Sequence, residues 1–77
     1  MFGTQGRVSQ MRIDVIDEGS GHEVANLSVD EAAAMVASEY PAIPDAAEWA
    51  KDRWTQGKYV VAMHRGYALF PVSDDDA

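Results

Sequence analysis

The chain has 77 residues, a net charge of −7 and no cysteine, which together exclude several classes of protein. A chain this short forms one domain without disulfides, and its two histidines lack the thiolate partners of a structural zinc site, so no metal or cofactor is expected. The negative field repels nucleic acid and anionic membranes, so direct binding to either is not expected.

The chain divides into an arm, one domain and a tail. Residues 1–9 carry two glycines without periodicity and are interpreted as a flexible arm, residues 10–73 as the domain and residues 74–77 as an acidic tail. The N-terminus lacks the apolar stretch of a signal peptide, and no apolar run reaches the roughly 20 residues that span a bilayer, so we expect a cytoplasmic protein. Alanine is abundant and lysine occurs only twice. This bias accompanies GC-rich coding sequence, as in actinobacteria and their phages.

The first predicted element is a β-hairpin. Residues 11–18 alternate apolar with polar side chains from Met11 to Val15, and although Ile16 breaks the strict alternation, the pattern of a half-buried strand fits best. A Gly-Ser-Gly loop at 19–21 separates this run from a second short strand at 22–27. Two such runs joined by a glycine-containing loop are typical of a hairpin.

The start of the first helix is the clearest boundary in the sequence. Ser28 and Glu31 have the spacing of a capping box, in which each side chain accepts the backbone amide hydrogen of the other residue. Pro41 ends the helix at about residue 39 or 40, because the residue before a proline avoids the α region. The apolar positions at helical spacing predict a buried stripe of Val29, Ala33, Val36 and Tyr40.

A second helix follows a short connection at 41–44. Asp45 and Glu48 are placed to cap its start, and Gly57 ends it after Gln56. On a helical wheel the apolar face is centred near Ala50. This face predicts a core contribution from Ala46, Ala50 and Trp54.

The last two apolar runs predict a second hairpin. Residues 58–64 and 67–72 are rich in β-branched and aromatic side chains and flank a turn at residues 65–66. Because Pro71 has no amide hydrogen to donate, we expect the last strand to end there or to lie at an edge of the sheet. The order β-β-α-α-β-β predicts an α+β fold, in which a small antiparallel sheet carries two helices packed on one face.

Apolar side chains point to both faces of this second hairpin, whereas helices on one face of a sheet cover only that face. Either a partner or the N-terminal arm covers the second face, or the sheet curls. We favour a twin subunit and expect a homodimer, because a chain of this size is marginal alone. The residues predicted to self-associate are Tyr59, Val61, Met63, Tyr67, Leu69 and Phe70.

The second helix also presents a candidate surface for a protein target. Trp49 falls about 100° from the centre of the apolar face, and Arg53, one turn later, can stack on its indole. Exposed tryptophan and arginine are frequent anchors of protein interfaces, although Trp49 can also simply cover the edge of the core. The predicted target-binding residues are Trp49 and Arg53 with the acidic stripe of Asp45, Glu48 and Asp52.

These features predict a non-enzymatic protein-interaction module that self-associates and that binds and modulates a protein target. Two alternatives stay open. Carboxylates around the first hairpin and along the second helix can imitate a phosphate backbone and so inhibit a protein that binds nucleic acid. His22 and His64 define the other alternative, a small enzyme or ligand-binding subunit, although neither neighbours a nucleophile in a recognised pattern.

Overall fold

Four strands and two helices follow one another in the predicted order β-β-α-α-β-β, and the fold class is confirmed. The computed structural model describes residues 11–73, so the predicted arm at 1–9 and the acidic tail at 74–77 lie outside the described residues. The elements are β1 (Met11–Asp17), β2 (Glu23–Ser28), α1 (Val29–Glu39), α2 (Ala46–Thr55), β3 (Val60–Ala62) and β4 (Tyr67–Ser73).

The four strands form one antiparallel sheet in the order β2-β1-β4-β3. Each hairpin therefore contributes one central strand and one edge strand, and the two central strands, β1 and β4, pair along their whole length. The two helices connect the opposite edges, from the end of β2 to the start of β3, and they cover one face of the sheet. We call this the inner face and the opposite one the outer face.

The predicted capping box fixes the start of α1. The Ser28 hydroxyl accepts the Glu31 N–H at 3.1 Å, and Glu31 Oε1 accepts the Ser28 N–H at 3.1 Å. Side chains thus satisfy the N–H groups of Ser28 and Glu31, and the chain passes from strand to helix without a loop. The helix ends at Glu39, with Tyr40 as its C-cap, as the position of Pro41 predicts.

The start of α2 differs from the expectation. Asp45 occupies the N-cap position, but its side chain makes no capping hydrogen bond. Its backbone, at φ −118° and ψ 42°, is not in the extended conformation from which an N-cap side chain usually reaches the first turn. The first turn is instead joined to the preceding connection, where the Ala46 N–H donates to the Ile43 oxygen at 3.3 Å.

The end of α2 explains why β3 is shorter than the predicted 58–64. The Gly57 N–H donates to the Trp54 oxygen and the Lys58 N–H to the Arg53 oxygen, both at 2.9 Å. These two bonds are those of a Schellman motif, with Gly57 at a φ of 81° that only glycine adopts readily. Lys58 therefore belongs to the helix terminus, and the strand starts at Val60.

Pro71 lies inside β4, a central strand, so its predicted place at an edge or a strand end is wrong. Backbone groups along β4 face β1 and β3 alternately, and the Glu18 N–H donates to the Gly66 oxygen, which places Phe70 and Val72 on the β1 side. Pro71 thus faces the β3 side. β3 begins at Val60, opposite Leu69, so no ladder bond is lost at the proline.

The core lies between the inner face and the two helices. Trp54 is its largest member, and its indole Nε1–H donates to the Leu69 oxygen at 3.1 Å. The buried cluster comprises Ile13, Val15, Ala32, Ala33, Val36, Ala46, Ala50, Trp54, Val60, Ala62 and Leu69. In the part of the chain that the structure describes, neither helix has the length and apolar character needed to cross a membrane.

Candidate protein-binding surfaces

The outer face of the sheet is polar on one side and apolar on the other. On the β3–β4 side, aromatic and aliphatic side chains stand next to one another, and Tyr59, Phe70 and Val72 are exposed, whereas Ala68 beneath them is buried. The Tyr59 and Phe70 rings stack with their centres 5.0 Å apart. We call this surface the apolar half; its residues are Ile16, Tyr59, Val61, Ala68, Phe70 and Val72.

The β1–β2 side of the outer face, which we call the polar half, consists of Arg12, Asp14 and Asn26. Arg12 Nε donates to Asn26 Oδ1 at 2.9 Å, and Asn26 Nδ2 donates to Asp14 Oδ1 at 2.6 Å. The three side chains form a row in which the amide links the two opposite charges. This half meets water in the ordinary way for an antiparallel sheet covered on one side.

The six residues predicted to self-associate do not share one surface. Tyr59, Val61 and Phe70 lie in the apolar half, and Phe70 is 39% exposed. Leu69 faces the helices and is fully buried, and Tyr67, on the same face, packs against the core. Met63 lies in the turn between β3 and β4, where it is 72% exposed.

A groove runs along the free edge of β3, between this strand and the exposed side of α2. Its volume is about 430 Å³, which is near the lower end of ligand-site volumes. The lining is mostly apolar, with Arg53 as its one charged member. The lining residues are Tyr40, Trp49, Arg53, Tyr59, Val60, Val61 and Met63.

The pairing pattern decides which backbone groups β3 presents to the groove. Ala68 directs its N–H and C=O towards β1, since it lies two residues after Gly66, whose oxygen accepts the Glu18 N–H. Val61 is paired with Ala68 across a position without ladder hydrogen bonds. The N–H and C=O of Val61 therefore point away from β4 and into the groove.

Side chains cap the carbonyl groups at this edge. The Tyr40 hydroxyl donates to the Val61 oxygen at 2.5 Å, and Arg53 Nε donates to the Tyr59 oxygen at 3.2 Å. Such coverage is how proteins keep an edge strand from pairing with another chain. The predictions from sequence did not include Tyr40 in a site, because its helical spacing placed it in the buried stripe.

Arg53 is held in place from two sides, and its spacing from Trp49 predicts one of them, the stack on the indole. Its Cζ lies 5.4 Å from the centre of the Trp49 ring, and its Nε is bonded to the β3 edge. Trp49 itself is 45% exposed. Among residues 11–73, no carboxylate lies within 4 Å of the Arg53 guanidinium.

The acidic stripe lies on the other side of Trp49 from Arg53. Glu48 is 3.8 Å from Lys51 Nζ, and Asp52 accepts a hydrogen bond from Gln56 at 2.8 Å. The hydrogen bond and charge of Asp30, 3.1 Å from Lys51, followed by the charge of Glu48, raise the pKa of Lys51. Asp45, Glu48 and Asp52 are all exposed.

The two histidines lie apart, at the turns of the two hairpins, and both are exposed. Near His64, one carboxylate at the end of α1 binds two residues of the second hairpin. Glu39, at the end of α1, accepts the His64 N–H at 3.0 Å and pairs with Arg65 at 2.9 Å. Within the described range 11–73, no three histidine or acidic side chains are arranged to hold a metal ion.

The fold and these surfaces define a small α+β protein in which, among residues 11–73, exposed aromatic side chains stand on one sheet face and a groove follows the edge strand. Comparison with protein-family models, with curated proteins and with solved structures finds no match to this chain.

Proposed function

We propose that this chain is a non-enzymatic protein-interaction module, which self-associates through its apolar half and binds a protein target through the groove side of α2. The observation that carries the proposal is the apolar half itself. Half of one sheet face is aromatic and aliphatic, while the other half of the same face, opposite the helices, is polar.

A second copy is the occupant that the apolar half fits best. Its six residues carry no charge, so two copies can meet there despite the net charge of −7 on each. Arg12 and Asp14, of opposite sign, adjoin the patch and form a polar rim of the kind that surrounds the apolar centre of protein interfaces. A chain of 77 residues also has little core of its own, and burial in a dimer adds to its stability.

The carboxylates support an interaction module more than an imitation of nucleic acid. A phosphate mimic needs acids that are free to meet the basic residues of its target. Here several are engaged within the chain: Asp14 binds Asn26, Asp17 accepts the Gly19 N–H at 2.8 Å, and Glu31 belongs to the capping box.

The proposal is tested by the absolute mass in solution, measured by light scattering across a dilution series. We expect a dimer of the unaltered protein. Replacing Phe70 with Ser (Phe70→Ser) removes the exposed ring at the centre of the apolar half. This change should raise the dissociation constant of the dimer at least about tenfold, since aromatic residues that become buried in an interface dominate its binding energy.

The matched control is Ile43→Ser. Ile43 is exposed to a similar degree, but it lies in the connection between the helices and not on the outer face. This variant should keep the mass of the unaltered protein. A monomer at every concentration, or an equal loss of dimer in both variants, would contradict self-association through the apolar half.

A further inference from the structure

The groove beside β3 presents hydrogen-bond donors that have no partner among residues 11–73. The Val61 N–H points into it, and no acceptor in a turn, a cap or a side chain of residues 11–73 contacts this hydrogen. Arg53 uses Nε on the Tyr59 oxygen, which leaves its two terminal nitrogens for a ligand. The guanidinium is already positioned by the Trp49 ring, so binding requires little further ordering.

The acceptors at the same edge are occupied. The Val61 oxygen receives the Tyr40 hydroxyl, and the Tyr59 oxygen receives Arg53. A partner strand added along β3 would find one free donor and capped carbonyls, which is a poor edge for strand addition. The groove therefore matches a ligand group that only accepts hydrogen bonds, that is negatively charged, and that is attached to an apolar body.

We propose that the groove binds the C-terminal carboxylate of a partner protein whose last side chain is apolar and whose preceding residues are basic. The carboxylate lies between the Arg53 terminal nitrogens and the Val61 N–H. The last side chain rests on the part of the apolar lining that lies outside the apolar half, formed by Trp49 and Met63. Carboxylate capture of this kind needs only the chain end and no added strand.

Charge complementarity favours a protein C-terminus over a small organic acid. The chain is acidic overall, so an isolated anion gains from Arg53 alone. Beyond Trp49, however, the exposed Asp45, Glu48 and Asp52 carry three negative charges, of which Lys51 lies near only that of Glu48. A peptide that crosses Trp49 with its carboxylate on Arg53 places its preceding lysines or arginines beside these acids. This inference rests on the proposed function, because it names the chemistry of the target.

The first test is a titration of the isotope-labelled protein with acetyl-Lys-Lys-Ala-Leu, a peptide with a free C-terminal carboxylate, followed by NMR. The Trp49 indole and Val61 amide signals should shift together. The Trp54 indole, buried and bonded to Leu69, is an internal control that should stay in place. The same peptide with an amidated C-terminus should bind about ten- to a hundredfold more weakly, because it lacks the charge that strengthens these hydrogen bonds.

Variants separate the guanidinium from general electrostatics. Arg53→Gln should lower the affinity for the acid peptide to that for the amidated peptide. Arg53→Lys should recover only part of this affinity, since a lysine cannot bind a carboxylate through two parallel hydrogen bonds. The control is Lys58→Gln, which makes the same change in net charge. Lys58 lies three residues after the end of α2 at Thr55 and does not line the groove, so this variant should leave binding unchanged. The spread of amide signals shows whether each variant is folded.

Three outcomes would overturn the proposal: equal binding of the acid and amidated peptides, equal losses in Arg53→Gln and Lys58→Gln, or binding of 4-methylpentanoate as tight as that of the peptide. The last would assign the groove to a small carboxylic acid. Replacing both lysines of the peptide with glutamate should lower its affinity further. Added salt should then strengthen binding, whereas it weakens binding of the lysine peptide. Light scattering of Arg53→Gln keeps this test apart from self-association, because Arg53 is outside the apolar half.

Discussion

The two halves of the outer sheet face share one backbone architecture and differ in how their side chains are satisfied. In the polar half, Arg12, Asn26 and Asp14 bind one another, so the surface is complete in water. In the apolar half, the rings of Phe70 and Tyr59 stack on each other, and both remain more than one-third exposed. This difference between the halves is the ground on which a partner is proposed for the apolar half.

The largest expected effect comes from neighbouring residues of β4 that face opposite ways. Leu69→Ala removes a fully buried side chain and should lower the free energy of unfolding by about 2–5 kcal/mol, from lost burial and the resulting cavity. Phe70→Ala should cost about 1 kcal/mol in the monomer, chiefly the stack on Tyr59. Denaturant unfolding at one low protein concentration measures both.

Low concentration matters because self-association adds stability by mass action. If the apolar half is an interface, the deficit of Phe70→Ala grows as the protein concentration rises, whereas that of Leu69→Ala changes little. Equal deficits at every concentration would mean that Phe70 serves the fold of the monomer. The comparison of the two halves would then need no partner.

A smaller effect is expected from breaking the polar half. Asn26→Ala removes the amide that links Arg12 to Asp14, and should lower the free energy of unfolding by about 1 kcal/mol, since water replaces exposed partners. The mass in solution should not change. Val24→Ala, another exposed position of β2, is the matched control and should be nearly neutral.

A loss of dimer in Asn26→Ala, seen by light scattering, would contradict the division of the outer face. It would show that the polar half takes part in the contact and is more than its rim. Stability lost equally in Asn26→Ala and Val24→Ala would instead mean that the hydrogen-bonded row adds nothing to folding.

The elements were predictable from sequence because their signals are local. The capping box and the proline that follows α1 give the bounds of this helix within a residue or two. The glycine after α2 gives the end of the second helix with the same accuracy. The burial of Trp54 followed from its place on the wheel. Strand order was not predictable, because nothing within either hairpin states which strand joins the other hairpin. The mistake at Pro71 has the same origin. A proline is tolerated in this central strand only because β3 begins at Val60, opposite Leu69, and so has no residue opposite Pro71 that would need its amide hydrogen.

The candidate site was predictable only in part, for a related reason. The contact of Arg53 with Trp49 lies within one helix, four residues apart, and the spacing predicts it. The β3 edge, by contrast, depends on Tyr40, which is 21 residues distant from its acceptor, Val61. Alternation shows that Leu69 and Phe70 face opposite ways, but not which of them faces inward. Both were therefore included among the residues predicted to self-associate.

The smallest expected effect lies where the polar half meets α1, and it concerns Glu31. Hydrogen bonds from the Ser28 backbone and hydroxyl, with the charge of Arg12 adding to them, hold the pKa of Glu31 below its ordinary value. A carboxyl whose pKa is lower in the folded state stabilises the fold above its unfolded pKa, near 4.3, and this stabilisation is lost as the pH falls through the folded value.

Acid unfolding compared between the unaltered protein and Glu31→Gln checks this expectation. The variant retains the shape of the capping box without a titrating group, so the two stabilities should converge as the pH falls below about 4 and diverge above it. Arg12→Gln should reduce that divergence only slightly, because the charge of Arg12 is the least of the influences that lower the pKa of Glu31. If Arg12→Gln removed the pH dependence as fully as Glu31→Gln does, the capping box would owe its acid sensitivity to the row of charges in the polar half, and the two regions would be one electrostatic unit.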